Sequence, residues 1–264
     1  TSMGVRCNVL DMAPHVLPGF DEEIQEFVEN HLAEQGIHTM TGTRFEGVIG
    51  DGKVEKVQTD RKALKADMVV LSIGIRANTG FLQDTGIELA PNKTVIVNDH
   101  MQTSDPDIYA AGDCAMVTNR ITKAAAWSPM GSTANITGRM AAKNMAGKDT
   151  VYHGAMGTAV CQLPGLNAGK TGLSEAQAKD AGFEAVSVLM VADDKAHYMP
   201  GADSFIIKLT ADQTSRKLLG VQVLGRGPAD KVVDICVAAI AMGATVDDIA
   251  DMDFAYAPPF STAI

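Results

Sequence analysis

The sequence predicts an α/β fold that gives way to an α+β one. Three observations carry this expectation. Before Thr150, short strands alternate with helix patterns; from Val151 onward the strands lengthen and succeed one another, as in a mostly antiparallel sheet with helices; and Met68–Ile73 is a continuous apolar run, the pattern of a parallel strand buried on both faces.

Taken in order, Thr1 to Gly4 reads as the tail of a helix and Val5–Leu10 as a strand ending at Asp11. A strand of a parallel sheet needs neighbours on both sides and nothing precedes this one, so the chain is expected to start inside a domain. Asp21-Glu22-Glu23 opens a helix by placing negative charge at its positive end, Ile24, Phe27, Val28 and Leu32 repeat at helical spacing, and Gly36 is the stop. Ile37–Thr39 should be the next strand. Glu46–Ile49 and Val54–Thr59 flank Gly50-Asp51-Gly52, a hairpin signal.

After the apolar run, Gly74–Gly80 reads as a crossover between domains. A short strand is expected at Thr94–Val97, another over Ile108–Asp113, and a helix from about Ser132 to Met145 stopped at Gly147. The last part should hold strands at Val186–Val191, Phe205–Leu209 and Leu218–Leu224. A helix with the capping box Ser174-x-x-Gln177 and a helix Ala229–Met242 ended by Gly243 complete it.

Composition excludes several classes of function. Lys plus Arg total 22 against 32 Asp plus Glu, a net charge of −10, which argues against binding nucleic acid because phosphate contacts need a surplus of basic side chains. The cysteines, Cys7, Cys114, Cys161 and Cys236, lie far apart without C-x-x-C or metal-ligand spacing, so neither a disulfide scaffold nor a metal site is expected. Cys161 and Cys236 sit in apolar runs and read as core, as do Met130, Met140, Met145 and Met242. No apolar run is long enough to cross a bilayer and the first residues lack the order of a signal peptide, so no membrane partner is expected and the default location is cytoplasmic.

Two segments could carry chemistry. Asp11, at the end of a strand, could accept both hydroxyls of an adenosine ribose; alternatively it caps a turn. The stretch Thr103-Ser104-Asp105-Pro106-Asp107-Ile108-Tyr109-Ala110-Ala111-Gly112-Asp113 is more specific. Ala-Ala-Gly removes side-chain bulk where a ligand could pass close, and Asp113 then offers a charged acceptor. Gly225-Arg226-Gly227 lacks the third glycine of a dinucleotide loop and reads as a turn. His15 and His31 read as solvated or helix-packing residues, because no second ligand lies four positions on.

Those eleven residues resemble the second flavin-binding motif of the pyridine nucleotide-disulfide oxidoreductases. Pro129-Met130-Gly131-Ser132-Thr133-Ala134-Asn135 through Gly138-Arg139 is similar to the family's P-L-A-G-P-A-N-x-x-G-R, with Ser132 and Thr133 replacing Gly and Pro. Leu10-Asp11-Met12 through Pro18 and Ile73-Gly74-Ile75-Arg76-Ala77-Asn78-Thr79 look like two parts of its NADH domain, the second with Ala77 where Pro is usual. His197-Tyr198-Met199-Pro200-Gly201-Ala202 and Tyr256-Ala257-Pro258-Pro259-Phe260-Ser261 look like the dimerisation domain of the coenzyme A-disulfide reductase, NADH oxidase and persulfide reductase branch. The family's redox cysteine and both Gly-rich dinucleotide turns are absent from this chain.

The resemblance implies partial NAD-binding and FAD-binding Rossmann-like domains followed by an α+β dimerisation domain. Residues 1–78 would belong to the NAD(P)H-binding domain, 79–150 to the FAD-binding domain and 151–264 to a domain that pairs two copies into a homodimer. FAD and NADH, with NADPH less favoured, would be the cofactors. Asp11, Gly74, Gly112, Asp113, Cys114, Gly131, Ser132 and Thr133 would lie at them, with Cys114 a small residue beside the flavin and not the redox thiol. Tyr198 and Tyr256 would be catalytic, or would merely start a loop and pack on prolines. The implied parent enzyme passes hydride from nicotinamide to flavin and electrons onward, through a cysteine, to a disulfide, a persulfide or oxygen. The isolated chain is expected to be inactive.

Overall fold

The computed structural model describes residues 3–262, which form two compact units, 3–73 with 162–166 and 74–161 with 167–262. Thr1 and Ser2 of the expected helix tail lie outside the described residues; Met3 and Gly4 form a turn and bend.

In the first unit β1 (Cys7–Leu10), α1 (Glu22–Glu34) and β2 (Ile37–Met40) make a parallel β-α-β arrangement, Cys7 lying opposite Ile37 and Leu10 opposite Met40. Helix α1 buries Ile24, Val28 and Leu32 along one i, i+4 line. Phe27, expected on that face, is 43% exposed; at 100° per residue it lies roughly 100° from the middle of the stripe. Gly36, at φ +74°, ends the helix, its amide bonded to Ala33 O at 2.9 Å.

Strands β3 (Phe45–Ile49), β4 (Lys56–Thr59) and β5 (Ala63–Lys65) form an antiparallel sheet. The chain leaves β3 at Gly50, where an added Cβ would sit 1.8 Å from Lys53 O, and β4 starts at Lys56 instead of Val54. Met68–Ile73 is not a strand. Met68, Val70 and Ile73 are 79%, 81% and 82% exposed, because among the described residues no neighbouring strand pairs with this run or covers it.

The second unit begins with β6 (Val95–Ile96), parallel to β7 (Ala115–Thr118), which pairs antiparallel with β8 (Ala125–Ala126). Residues 108–113, expected as a strand, make only a single bridge from Tyr109 to Gln102 and pass into a 3₁₀ turn at Gly112–Cys114. The turn at 103–107, closed by Thr103 N–H to Ile108 O, uses the backbone groups a ladder would need. Helix α2 (Gly131–Met145) buries Thr133, Thr137 and Ala141 toward a core that includes Val95, Met101, Val117 and Tyr152. Met140 packs on that core and Met130 is half-buried, but Met145 is 67% and Met242 85% exposed, since each lies at the last turn of its helix and points off the packed face.

Five strands then form one sheet in the order β11-β12-β13-β10-β9, made of β9 (Ala159–Leu163), β10 (Leu166–Gly172), β11 (Ala185–Asp193), β12 (Ser204–Asp212) and β13 (Leu218–Gly225). The ladders β10–β13, β11–β12 and β12–β13 are antiparallel. Between β10 and β11, α3 (Glu175–Asp180) starts with its capping box made in full: Ser174 Oγ accepts the Gln177 amide at 3.2 Å and Gln177 Oε1 accepts the Ser174 amide at 3.0 Å. Helix α4 (Ala229–Met242) ends at Gly243, φ +72°, and the short α5 (Val246–Ala250) follows.

Every residue of central strand β13 is buried, and α4 packs Val233, Cys236 and Ile240 against Val221 and Val223. Each side chain of that size taken fully out of water contributes about 1.5–3 kcal/mol. Burial pushes the Cys236 thiol up to about 11, whereas Cys161, expected in the core, is exposed on edge strand β9. Gly225 and Gly227 are explained by packing: an added Cβ would lie 2.3 Å from the Phe205 ring and 2.6 Å from the Asp194 carboxylate. Among the described residues no helix is long and apolar enough to cross a membrane, and no group of three His, Cys, Asp or Glu could hold a metal.

Candidate active-site segments

The Ala-Ala-Gly-Asp segment and the start of α2 are joined atom by atom. Gly112, at φ +76°, donates its amide to Thr137 Oγ1 at 3.1 Å, and a Cβ placed there would stand 3.5 Å from the Ala134 methyl. Only glycine takes that left-handed backbone without strain while lying against a helix. Thr137 is fully buried and passes the bond on, its hydroxyl donating to Thr133 O at 2.7 Å. The next residue, Asp113, is exposed; its carbonyl accepts Trp127 Nε1–H at 2.8 Å, and among the described residues its carboxylate takes no hydrogen bond. Cys114 is half-buried, with Sγ 3.4 Å from Ala111 O.

The first backbone hydrogen bond of α2 runs from Ala134 N to Met130 O, which leaves the amides of Gly131, Ser132 and Thr133 without helical acceptors. Gly131 and Ser132 are exposed. The Thr133 side chain turns inward, its hydroxyl 2.8 Å from Ser128 Oγ and within reach of Tyr152, whose phenol is pushed up by burial. The Thr133 hydroxyl is thus engaged inside the fold, while its backbone amide has no helical acceptor. A glycine that lets the chain hug a helix, an open carboxylate and three free amides at a positive helix end fit the ribityl chain and the electron-rich edge of a flavin. Thr137 and Trp127, which hold this arrangement, were not singled out by the sequence. Thr137 lies one turn after Thr133, but a threonine at that spacing has no distinctive pattern.

Asp11 occupies the loop after β1. Its Oδ1 accepts the Ala13 amide at 2.9 Å, while its carbonyl accepts the Thr43 amide at 2.9 Å and its own amide donates to Met40 O. One carboxylate oxygen therefore caps the turn, and the other, on an exposed side chain, takes no hydrogen bond among the described residues. Gly74, at φ +91° with nothing within 4 Å of an added Cβ, lies in irregular chain beside the half-exposed Ile75.

The two tyrosine segments meet through a backbone hydrogen bond from Ala196 N to Pro258 O at 3.3 Å. Tyr198 is 67% and Tyr256 53% exposed, and the Tyr198 ring stands edge-on to His197 with centroids 5.7 Å apart. Neither phenol is tied into a core.

A family model described as pyridine nucleotide-disulphide oxidoreductase matches residues 1–131, and a second, for the dimerisation domain of the same family, matches 159–264. A NAD(P)H sulfur oxidoreductase (CoA-dependent) from Pyrococcus furiosus is 35% identical over 242 residues, covering 92% of this chain and 54% of that protein. An NADH oxidase from Methanocaldococcus jannaschii is 34% identical over 264 residues, covering 98% and 58%. Among solved structures, the NAD-dependent persulfide reductase of A. fulgidus superposes with a TM-score of 0.92 at 34% identity, covering 98% of this chain and 49% of that one. Bacillus anthracis CoADR-RHD gives 0.93 at 32%, covering 99% and 47%. The chain spans about half the length of the curated relatives it matches.

Proposed function

Because the chain belongs to the pyridine nucleotide-disulphide oxidoreductase family, we propose that it forms part of an FAD-dependent NAD(P)H oxidoreductase that reduces a small disulfide or persulfide of the coenzyme A type. The observation that carries this reading is the junction of Gly112 and Asp113 with the open first turn of α2. Names of relatives that include a CoA-dependent sulfur oxidoreductase and a persulfide reductase support the choice of acceptor. Oxygen reduction is the second reading, favoured by relatives named NADH oxidase. In this proposal residues 1–78 belong to the NAD(P)H-binding domain, 79–150 to the FAD-binding domain and 151–264 to the dimerisation domain, and the enzyme is a cytoplasmic homodimer. This chain alone is inactive.

Bound FAD supplies a two-electron carrier between nicotinamide and acceptor. Asp113 accepts a ribityl hydroxyl, and Cys114 lies beside it. The amides of Gly131, Ser132 and Thr133 face the pyrimidine edge, where a helix N-terminus favours negative charge. Gly74 lets the chain pass close to the cofactors. Asp11 accepts the ribose hydroxyls and repels a 2′-phosphate, giving NADH the advantage over NADPH. Tyr256, with Tyr198 on the segment bonded to its own, donates a hydrogen bond to the leaving thiolate while its ring packs on the thiol's organic arm.

In a full-length enzyme, Asp113→Ala should lose most of its yellow flavin absorbance, and Tyr256→Phe should keep the flavin and the dimer while slowing disulfide reduction roughly ten- to a thousandfold. Wild-type flavin content in the first variant overturns the site. Steady NADH oxidation by the present chain with added FAD overturns the proposal that it is inactive alone.

A further inference from the structure

The loop that carries Asp11 is held by one face of α1. Gln25 and Glu29, one helical turn apart, both reach back to it: Gln25 Nε2 donates to Leu17 O at 2.9 Å and Glu29 Oε1 accepts the Val16 amide at 3.0 Å. A donor and an acceptor therefore grip neighbouring residues of the loop. Gln25 is buried and Glu29 half-buried, which weakens competition from water for both bonds. Leu17, between them, sits at φ +52°, a left-handed backbone that a leucine adopts only when its surroundings enforce it.

The other end of the loop is tied by Asp11 itself, through the Ala13 amide on its carboxylate and the Gly42 amide on Ala13 O at 2.7 Å. Between these two anchors the loop has little freedom. The His15 ring lies close by, Nδ1 3.4 Å from the same Glu29 oxygen and Nε2 3.7 Å from Glu22 Oε1, yet among the described residues Nδ1 makes no hydrogen bond. The directed bond of Glu29 is the one to Val16.

We infer that Gln25 and Glu29 are positioning residues for the dinucleotide: they hold the 11–18 loop so that the Asp11 carboxylate meets the ribose hydroxyls in place, and in doing so they set the discrimination between NADH and NADPH. This rests on the reading of Asp11 as the ribose acceptor. Neither side chain touches the reacting atoms, so the effect is on binding and not on turnover.

The test is a mutant cycle in the full-length enzyme with Glu29→Ala, Gln25→Ala and Asp11→Ala, singly and paired. Dissociation constants for NAD⁺ come from calorimetry, kcat from saturating NADH, and exchange of the Val16 amide from mass spectrometry. Glu29→Ala and Gln25→Ala should each weaken binding about three- to tenfold, the range for one net hydrogen bond. They should lower the NADH-to-NADPH preference, speed Val16 exchange in the case of Glu29→Ala, and leave kcat within twofold. Glu29→Gln keeps an acceptor oxygen and should restore most of the affinity. In the Asp11→Ala background the added loss should shrink below twofold, because the braced group is gone.

Unchanged affinity in both single variants, or the same multiple with and without Asp11, overturns the inference while leaving the Asp11 reading intact. Equal damage from Glu29→Gln and Glu29→Ala also overturns it, since charge and not the bond would then matter. If Asp11→Ala itself keeps wild-type affinity and preference, the Asp11 reading fails and the inference with it. Should Glu29→Ala not fold, Gln25→Ala, which loses the bond to Leu17 and keeps that of Glu29 to Val16, carries the same comparison.

Discussion

Met68–Ile73 and Leu218–Leu224 are both expected from the sequence as strands, and they end differently. The second became β13, flanked by β12 and β10 and covered by α4, with all eight residues from Leu218 to Gly225 buried. The first has no ladder partner among the described residues, and Val70 is 81% exposed. An apolar run states a requirement for burial; whether it is met depends on what the rest of the fold places beside it.

The comparison breaks most sharply by truncation. Leu224, fully buried, should cost about 2–5 kcal/mol as Leu224→Ala, because the transfer energy is lost and a cavity remains. Urea denaturation followed by circular dichroism measures it. Next in size, Ser174→Ala removes the capping box of α3 in the same well-packed region and should cost about 1 kcal/mol in the same assay.

A pH effect sharpens the contrast further. Glu175 is held at about 2, first by its hydrogen bond to Lys179, with Ser187 and Lys208 adding to it against the cost of partial burial. A carboxylate depressed in the folded state from 4.5 stabilises fully above that ordinary value and loses its contribution as pH falls toward about 2. Between those limits wild-type Tm should therefore fall more steeply than that of Glu175→Gln. Parallel curves would show that the Glu175 contacts do not contribute. The smallest effect is expected at Val70→Ser, within about 0.5 kcal/mol for this chain, the size of a substitution on an exposed surface. A loss comparable to Leu224→Ala would show that the run is packed after all.

Much of the architecture was legible because its signals are local. Gly36 and Gly243 stop their helices in the left-handed region, and Ser174-x-x-Gln177 makes both bonds of its box, since glycine conformation and capping chemistry need only neighbours in sequence. The order of motifs likewise placed the chain in its family, because it survives as a linear string. Burial was less legible. Phe27 lies off the buried stripe of α1, Cys161 lies on an edge strand, and Met145 and Met242 project at helix ends, although each is an apolar residue expected to pack.

For the candidate sites the division is the same. The sequence alone was enough to single out Gly112, Asp113 and the start of α2, and to pair the Tyr198 and Tyr256 segments as parts of one domain. It contained nothing that marks Thr137 as the acceptor of the Gly112 amide, Trp127 as the donor to Asp113 O, or Gln25 and Glu29 as the grip on the Asp11 loop. Those assignments depend on which side chains the packed chain brings within 3 Å or so of a distant backbone group. A hydrogen bond between residues 25 positions apart has no periodicity to announce it, so only the tertiary structure decides it.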